Sequence, residues 1–274
     1  MYIINKKEKD KLVDSTQLKK DFFENIGQFH SWDKGRTWNS GGFNHTHLDY
    51  FIKLAESISD CEVIETGSGN STIAFLLANP KKVDSVSPDF ELWARIEDYC
   101  KSNQIPTAKL NPIKVKSEWA LPSLAEGKNK YDIALIDGCH GWPTAFVDLY
   151  YIYFMLRKGG YIVIDDIQLH SIKEIANLMV SEVEKFELVV NLGKAVVFRK
   201  LTDDLELGEW DQQRYIVEKT DEARNLGNKF ALYNTAEKKY EMVGFGSQAI
   251  SKGLILIIRA CSWTLARIQG KFKP

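Results

Sequence analysis

Short apolar runs alternate with longer segments of helical spacing through the middle of the chain. CEVIE (61–65), KVDSV (82–86), PIKVK (112–116), YDIALID (131–137) and YIVID (161–165) have the length and β-branched content of buried strands. Between them lie STIAFLLA, FELWARIEDYCKS, EWALPSLAE and PTAFVDLYYIYFML, whose apolar positions recur at helical spacing. Pro143 suits the first turn of the last of these, and RKGG ends it. SIKEIANLMVSEVE is a further helix, and ELVVNLGKAVVFRK closes the series as a hairpin around Asn191-Leu192-Gly193. Such alternation predicts a mostly parallel sheet with helices on both faces, and the hairpin adds one antiparallel edge strand. Before this core, HTHLDYFIKLAESI predicts a helix from His45, preceded by an aromatic, glycine-rich stretch, WDKGRTWNSGG. After Lys200 the pattern becomes charged and predicts a helical extension containing EWDQQRYIVEKTDEARNLGNKF. Three parts result: a cap or lid at 1–57, a nucleotide-type core at 58–200 and the extension at 201–274.

Composition narrows the partners. With 274 residues, 44% hydrophobic content and a formal net charge of -1, the chain has the composition of a globular protein with no global field for nucleic acid. Cys61, Cys100, Cys139 and Cys261 form no CxxC pair, which argues against a zinc cage and fits a reducing, cytoplasmic setting. The first residues lack the apolar core of a signal peptide, and no run of about 20 apolar residues predicts a membrane span. The basic, apolar LILIIRACSWTLARI near the end reads either as a helix packed on the domain or in a homo-oligomer, or as one lying on a membrane surface.

Chemistry concentrates at two places. Glu65-Thr66-Gly67-Ser68-Gly69-Asn70-Ser71-Thr72 joins the first strand to a helix. Its glycines allow a tight turn and close backbone approach to a ligand, and Ser71 or Thr72 is placed to cap the helix. Glu65 suits a ligand carrying an ammonium group, or is simply solvated at a plain turn. A nicotinamide fingerprint would need a third glycine where Thr72 stands and an acid where Ser87 stands. Further along, Asp137 ends one strand, Asp165 and Asp166 end another, and His140 follows in Asp-Gly-Cys-His. Carboxylates delivered to one sheet edge beside an imidazole suit a metal and proton-transfer site, or a solvated edge. Because strand side chains alternate, the adjacent Asp165 and Asp166 reach one ion only if the strand ends there.

The E-T-G-S-G-N-S-T turn after an apolar strand resembles motif I of class I methyltransferases that use S-adenosylmethionine (SAM), and the final hairpin is similar to that fold's last strands. I-D-G-x-H with K-G-G-Y-I-V-I-D-D resembles the small-molecule O-methyltransferase branch that includes macrocin and mycinamicin sugar methyltransferases. The resemblance covers about 61–200 and implies a Rossmann-like fold with a seven-stranded sheet. It implies that Glu65, Gly67 and Gly69, with Ser71, surround the methionine part of SAM, and that Ser117 and Glu118 meet adenine. Asp137, besides lining the cofactor, would bind Mg²⁺ with Asp165 and Asp166, and His140 would be the general base. Where relatives carry a ribose-binding acid, this chain has Ser87, with Asp89 as the substitute.

The expected activity is thus Mg²⁺-dependent methylation of a hydroxyl on a small molecule such as a sugar or natural product. Mg²⁺ takes oxygen ligands and leaves positions open for substrate oxygens, and a neutral imidazole accepts the hydroxyl proton. A metal-free methyltransferase and a degenerate SAM-binding scaffold are the competing readings. Trp32, Trp38, Phe43, Trp119 and Trp142 are candidates for pocket walls, Trp142 foremost. Lys34 and Arg36, in a closing loop at 30–42, would meet an acidic group. His30, His45, His47 and His170 read as loop or packing residues, and Cys139 as passive.

Overall fold

The computed structural model describes residues 15–29, 42–225, 230–234 and 239–243. The chain divides into two compact units, Met1–Leu207 and Gly208–Pro274. In the first, two helices, α1 (Ser15–Phe29) and α2 (His45–Glu56), precede a sheet of seven strands. These are β1 (Glu62–Thr66), β2 (Lys82–Val86), β3 (Leu110–Ile113), β4 (Tyr131–Ile136), β5 (Leu156–Ile164), β6 (Phe186–Asn191) and β7 (Val196–Lys200). The linking helices are α3 (Asn70–Leu77), α4 (Phe90–Ser102), α5 (Ser117–Glu126), α6 (Thr144–Met155) and α7 (His170–Ser181). The strand order is β3-β2-β1-β4-β5-β7-β6, parallel from β3 to β5, with β7 antiparallel to both of its neighbours.

Side-chain alternation divides the core. Val63, Ile133, Leu135, Val163 and Val197 turn to one face, where they pack with Phe22 of α1, Phe51 of α2, Phe75 of α3 and Trp93 of α4. Helices α5, α6 and α7 pack on one another and contribute nothing to that cluster. The described part of the N-terminal segment therefore shares the core of the sheet; the loop at 30–41, with Trp32, Lys34, Arg36 and Trp38, lies outside the described residues.

Two local expectations shift. The third strand begins at Leu110, two residues before PIKVK, because Leu110 to Ile113 match β2 and Lys116 already precedes α5. Pro112 is tolerated there because β3 is an edge strand. The antiparallel strand of the hairpin is not the edge strand. Strand β7 is buried along nearly its whole length and is inserted between β5 and β6, whereas β6 is largely exposed and forms the edge.

In the second unit, α8 (Arg214–Asn225) is the expected helix, and an antiparallel pair, β8 (Phe230–Asn234) and β9 (Lys239–Val243), follows where no strands were anticipated. The apolar terminal stretch lies outside the described residues. Among the described residues, no helix is long and apolar enough to cross a membrane.

Candidate active site

A cavity of about 610 Å³ opens at the carboxyl ends of β1, β2, β4 and β5, where ligands collect in open parallel sheets. Its size is that of a site for a small organic ligand. Gly67, Gly69 and Ser71 form one wall, Ser87 and Asp89 the next, then Ser117 and Glu118, and finally Asp137, His140, Asp165 and Asp166.

The glycine turn is held from behind. Glu65 is fully buried and does not reach the cavity wall. Ser71 Oγ donates to its Oε2 at 2.8 Å, and Ser85 Oγ to its Oε1 at 2.6 Å. Thr72 Oγ1 donates to Oε1 as well, and accepts from the Gly69 N–H at 3.0 Å. Burial pushes the Glu65 pKa up to about 7 against the pull of these hydroxyls. Ser71 and Thr72 are inside the first turn of α3, whose N-cap position is Gly69; Thr72 caps the helix start by accepting from the Gly69 N–H while it donates to Glu65, and Ser71 binds Glu65. Gly67 has φ +84°, and a Cβ there would lie 2.0 Å from the Asp137 carbonyl oxygen. Its lack of a side chain lets the first turn lie directly on the loop after β4.

After β2, Ser87 lines the cavity, and its carbonyl accepts from the Trp93 indole at 2.9 Å. Asp89 lines it too, but Oδ1 caps α4 through the Glu91 and Leu92 N–H groups at 2.9 and 3.0 Å. Ser117 and Glu118 sit in the first turn of α5, whose free N–H groups face the same region. Behind them Asp148 of α6 is fully buried, and burial raises its pKa to about 6 against the pull of the Ser117 and Thr66 hydroxyls. It lies beneath Gly138, a place that helical periodicity alone reads as plain core.

The acids divide. Asp165 continues the alternation of β5, on the face of Val163, and is buried. Its Oδ2 takes a bond from Lys194 Nζ at 3.0 Å, and its Oδ1 has no hydrogen-bond partner. Asp166 adopts φ +58° and turns away from that face. Its Oδ2 lies 3.7 Å from His140 Nε2, and Asp137 Oδ1 lies 3.6 Å from the same nitrogen. That nitrogen is buried with no hydrogen-bond partner. The Asp137 carboxylate holds the His140 pKa above the usual imidazole value, and burial raises the pKa of Asp137 and of Asp165. The candidate ligand atoms of Asp137, His140 and Asp166 lie within 4.8 Å of one another. Two carboxylates and one imidazole, whose buried Nε2 has no hydrogen-bond partner, fit a divalent cation. The group that the structure gathers is therefore Asp137, His140 and Asp166, with Asp165 beside it and bound to Lys194.

Lys194 is the main residue that the sequence reading missed. Strand β7 pairs antiparallel with β5, Val196 opposite Ile164, so the hairpin turn at Gly193-Lys194 must land beside Asp165. The remaining histidines behave as packing or surface groups: His45 stacks on Phe23, His47 is buried against Asn44, and His170 is exposed near Glu174. His30 lies outside the described residues. Trp142, two residues before α6, is exposed and packs on Phe146 at 4.4 Å, Trp119 is exposed, and Phe43 is buried.

Residues 64–167 match a family described as a methyltransferase domain. No curated protein matches the sequence. Solved structures are similar in fold. An O-methyltransferase from Bacillus cereus in complex with SAH has 12% identity and a TM-score of 0.54, over 70% of this chain and 94% of that one. The O-methyltransferase TomG from Streptomyces achromogenes, involved in tomaymycin synthesis and solved with SAM, has 12% identity and a TM-score of 0.55, over 72% and 95%. A methyltransferase from Geobacter sulfurreducens has 16% identity and a TM-score of 0.52, over 74% and 99%. At these identities the likeness establishes the fold.

Proposed function

We propose, starting from the match of residues 64–167 to a methyltransferase domain, that this chain is an enzyme that uses SAM to methylate a hydroxyl oxygen of a small molecule with the help of a divalent cation. One observation carries the reading: the Gly67–Gly69 turn and the Asp137, His140 and Asp166 group open into the same cavity. SAM would lie along the Gly67, Ser87–Asp89 and Ser117–Glu118 walls, its sulfonium methyl directed toward the acid end. A cation held by Asp137, His140 and Asp166 would supply positive charge that lowers the acceptor hydroxyl pKa. Mg²⁺ is the expected ion, and the imidazole in the donor set also admits Mn²⁺. His140 alternatively serves as base when it is not a ligand; Asp137 raises its proton affinity, and the neutral ring takes the hydroxyl proton at Nε2. A sugar or natural-product acceptor of the macrocin type is the finer expectation, with Trp142 as the platform at the rim. Among the described residues Cys61, Cys100 and Cys139 are free thiols, which supports a reducing, cytoplasmic setting.

The test has two parts. Calorimetry with S-adenosylhomocysteine is expected to give binding without added metal. Methyl transfer from labelled SAM to a panel of diol-bearing sugars and phenols is expected to stop on complete chelation and return with Mg²⁺ or Mn²⁺. Turnover that survives chelation removes the cation and leaves the metal-free enzyme; failure to bind the product removes the methyltransferase reading.

A further inference from the structure

We propose that Asp148 is a positioning residue for the cofactor, one that ties the start of α5 to the end of β1 and so sets the spacing between the adenine wall and the glycine turn. The inference rests on the reading of the Ser117–Glu118 wall as the adenine end of the SAM site.

Helix α5 is weakly anchored by its own strand. It follows β3, a four-residue strand at the edge of the sheet. It packs on α6, and Lys116 at its N-cap position makes no side-chain capping bond. Yet Ser117 and Glu118, in its first turn, line the cavity together with the glycine turn that follows β1, two strands further in. The end of β1 is, by contrast, fixed on both sides. The Asp137 N–H donates to the Thr66 carbonyl at 2.9 Å, and the Gly67 N–H donates to the Val86 carbonyl at 2.9 Å.

Asp148 stands between the two. It is the one charged residue of α6 and is fully buried, as is Thr66. Its carboxylate faces the Ser117 hydroxyl on the α5 side and the Thr66 hydroxyl on the β1 side, and both favour its charged form against burial. Asp148 Oδ2 and Thr66 Oγ1 lie together beneath Gly138, where a Cβ would stand 3.5 Å from the first and 3.3 Å from the second. The loop after β4 is thus laid across the same contact. One turn earlier on the same helix face, Thr144 lines the cavity. An apolar side chain at 148 would suit the surroundings better, since burial of a carboxylate costs free energy that its partners only partly return. What the carboxylate adds is direction: hydroxyls from two separate walls converge on one group. Asp148 itself is not in the cavity wall, so it acts on the cofactor through Ser117 and Thr66.

Calorimetry of S-adenosylhomocysteine binding to the full-length chain, beside thermal melts, tests this. Asp148→Ala is expected to weaken binding about tenfold or more. Its melting temperature is expected to stay within about 3 °C of native or to rise, because a buried carboxylate is removed. Asp148→Asn keeps an oxygen acceptor and is expected to bind between native and Asp148→Ala. Ser117→Ala is expected to weaken binding by itself and to add little once residue 148 is changed. Ser68→Ala, on the glycine-turn wall, is expected to add its full effect to Asp148→Ala. A residue that merely fills the core would lower the melting temperature and leave binding by the folded chain unchanged. The proposal is overturned if Asp148→Ala binds within about twofold of native, or if its effect and that of Ser117→Ala add in full. If Asp148→Ala does not fold, the near-isosteric Asp148→Asn and Thr66→Val carry the same comparison with Ser117→Ala. If the native chain binds no S-adenosylhomocysteine, the methyltransferase reading falls; if it binds and the variants match it, only the role of Asp148 falls.

Discussion

Two acidic regions, about a sheet edge apart, handle buried charge in opposite ways. Glu65 is enclosed by three hydroxyls, from Ser71, Thr72 and Ser85, so each oxygen has a partner supplied by the protein. The cluster of Asp137, His140, Asp165 and Asp166 leaves polar atoms open: the imidazole Nε2 and one Asp165 oxygen have no hydrogen-bond partner. Buried polar groups are normally satisfied, so an unsatisfied set at a cavity wall marks a place completed by something from outside. The first region is a brace that shapes the cofactor turn. The second is left open toward the cavity.

The contrast is broken most strongly at Asp137, whose side chain belongs to the open cluster and whose carbonyl lies against Gly67. Asp137→Asn is expected to lower turnover by roughly 10²–10³, while calorimetry shows S-adenosylhomocysteine affinity within about tenfold of native, ~1.4 kcal/mol. Equal losses in both would make the two regions one. The next effect belongs to Glu65. Folded, it holds its proton up to about pH 7, against an ordinary value of 4.5. Its contribution to stability is full below pH 4.5 and is lost as pH rises through 7, by ~3 kcal/mol. Urea titrations at pH 5 and pH 8 are expected to show this fall in the native chain, and a flatter profile in Glu65→Gln. The smallest effect is expected at the rim. Trp142→Ala, at an exposed position, is expected to change stability by less than ~0.5 kcal/mol in thermal melts, with KM for the acceptor rising and SAM affinity unchanged.

Much of this was readable from the chain because the signals are local. Strands such as YDIALID and YIVID carry their acids at the carboxyl end, and the strand-glycine-helix turn is contiguous. What was missed depended on pairing at a distance. Nothing near Lys194 marks it; only the antiparallel pairing of β7 with β5 brings it within 3.0 Å of Asp165, 29 residues away. Asp148 was missed for a related reason, since an acid in the apolar PTAFVDLYYIYFML shows its surroundings only once α6 lies under Gly138. The capping role read for this pair, Ser71 and Thr72, falls to Thr72, whose hydroxyl accepts from the Gly69 N–H and donates to Glu65 at once, while Ser71 turns to Glu65 alone.

The hairpin tip at Leu192–Lys194 has a meaning for how such a site can be retuned. It lies beyond the paired residues of β6 and β7, so its length can change without altering the register of Val196 against Ile164. A one-residue insertion there would carry the ammonium away from the aspartates while the sheet stayed in place. The charge beside the aspartates is therefore adjustable by loop length, independently of the strands that carry them.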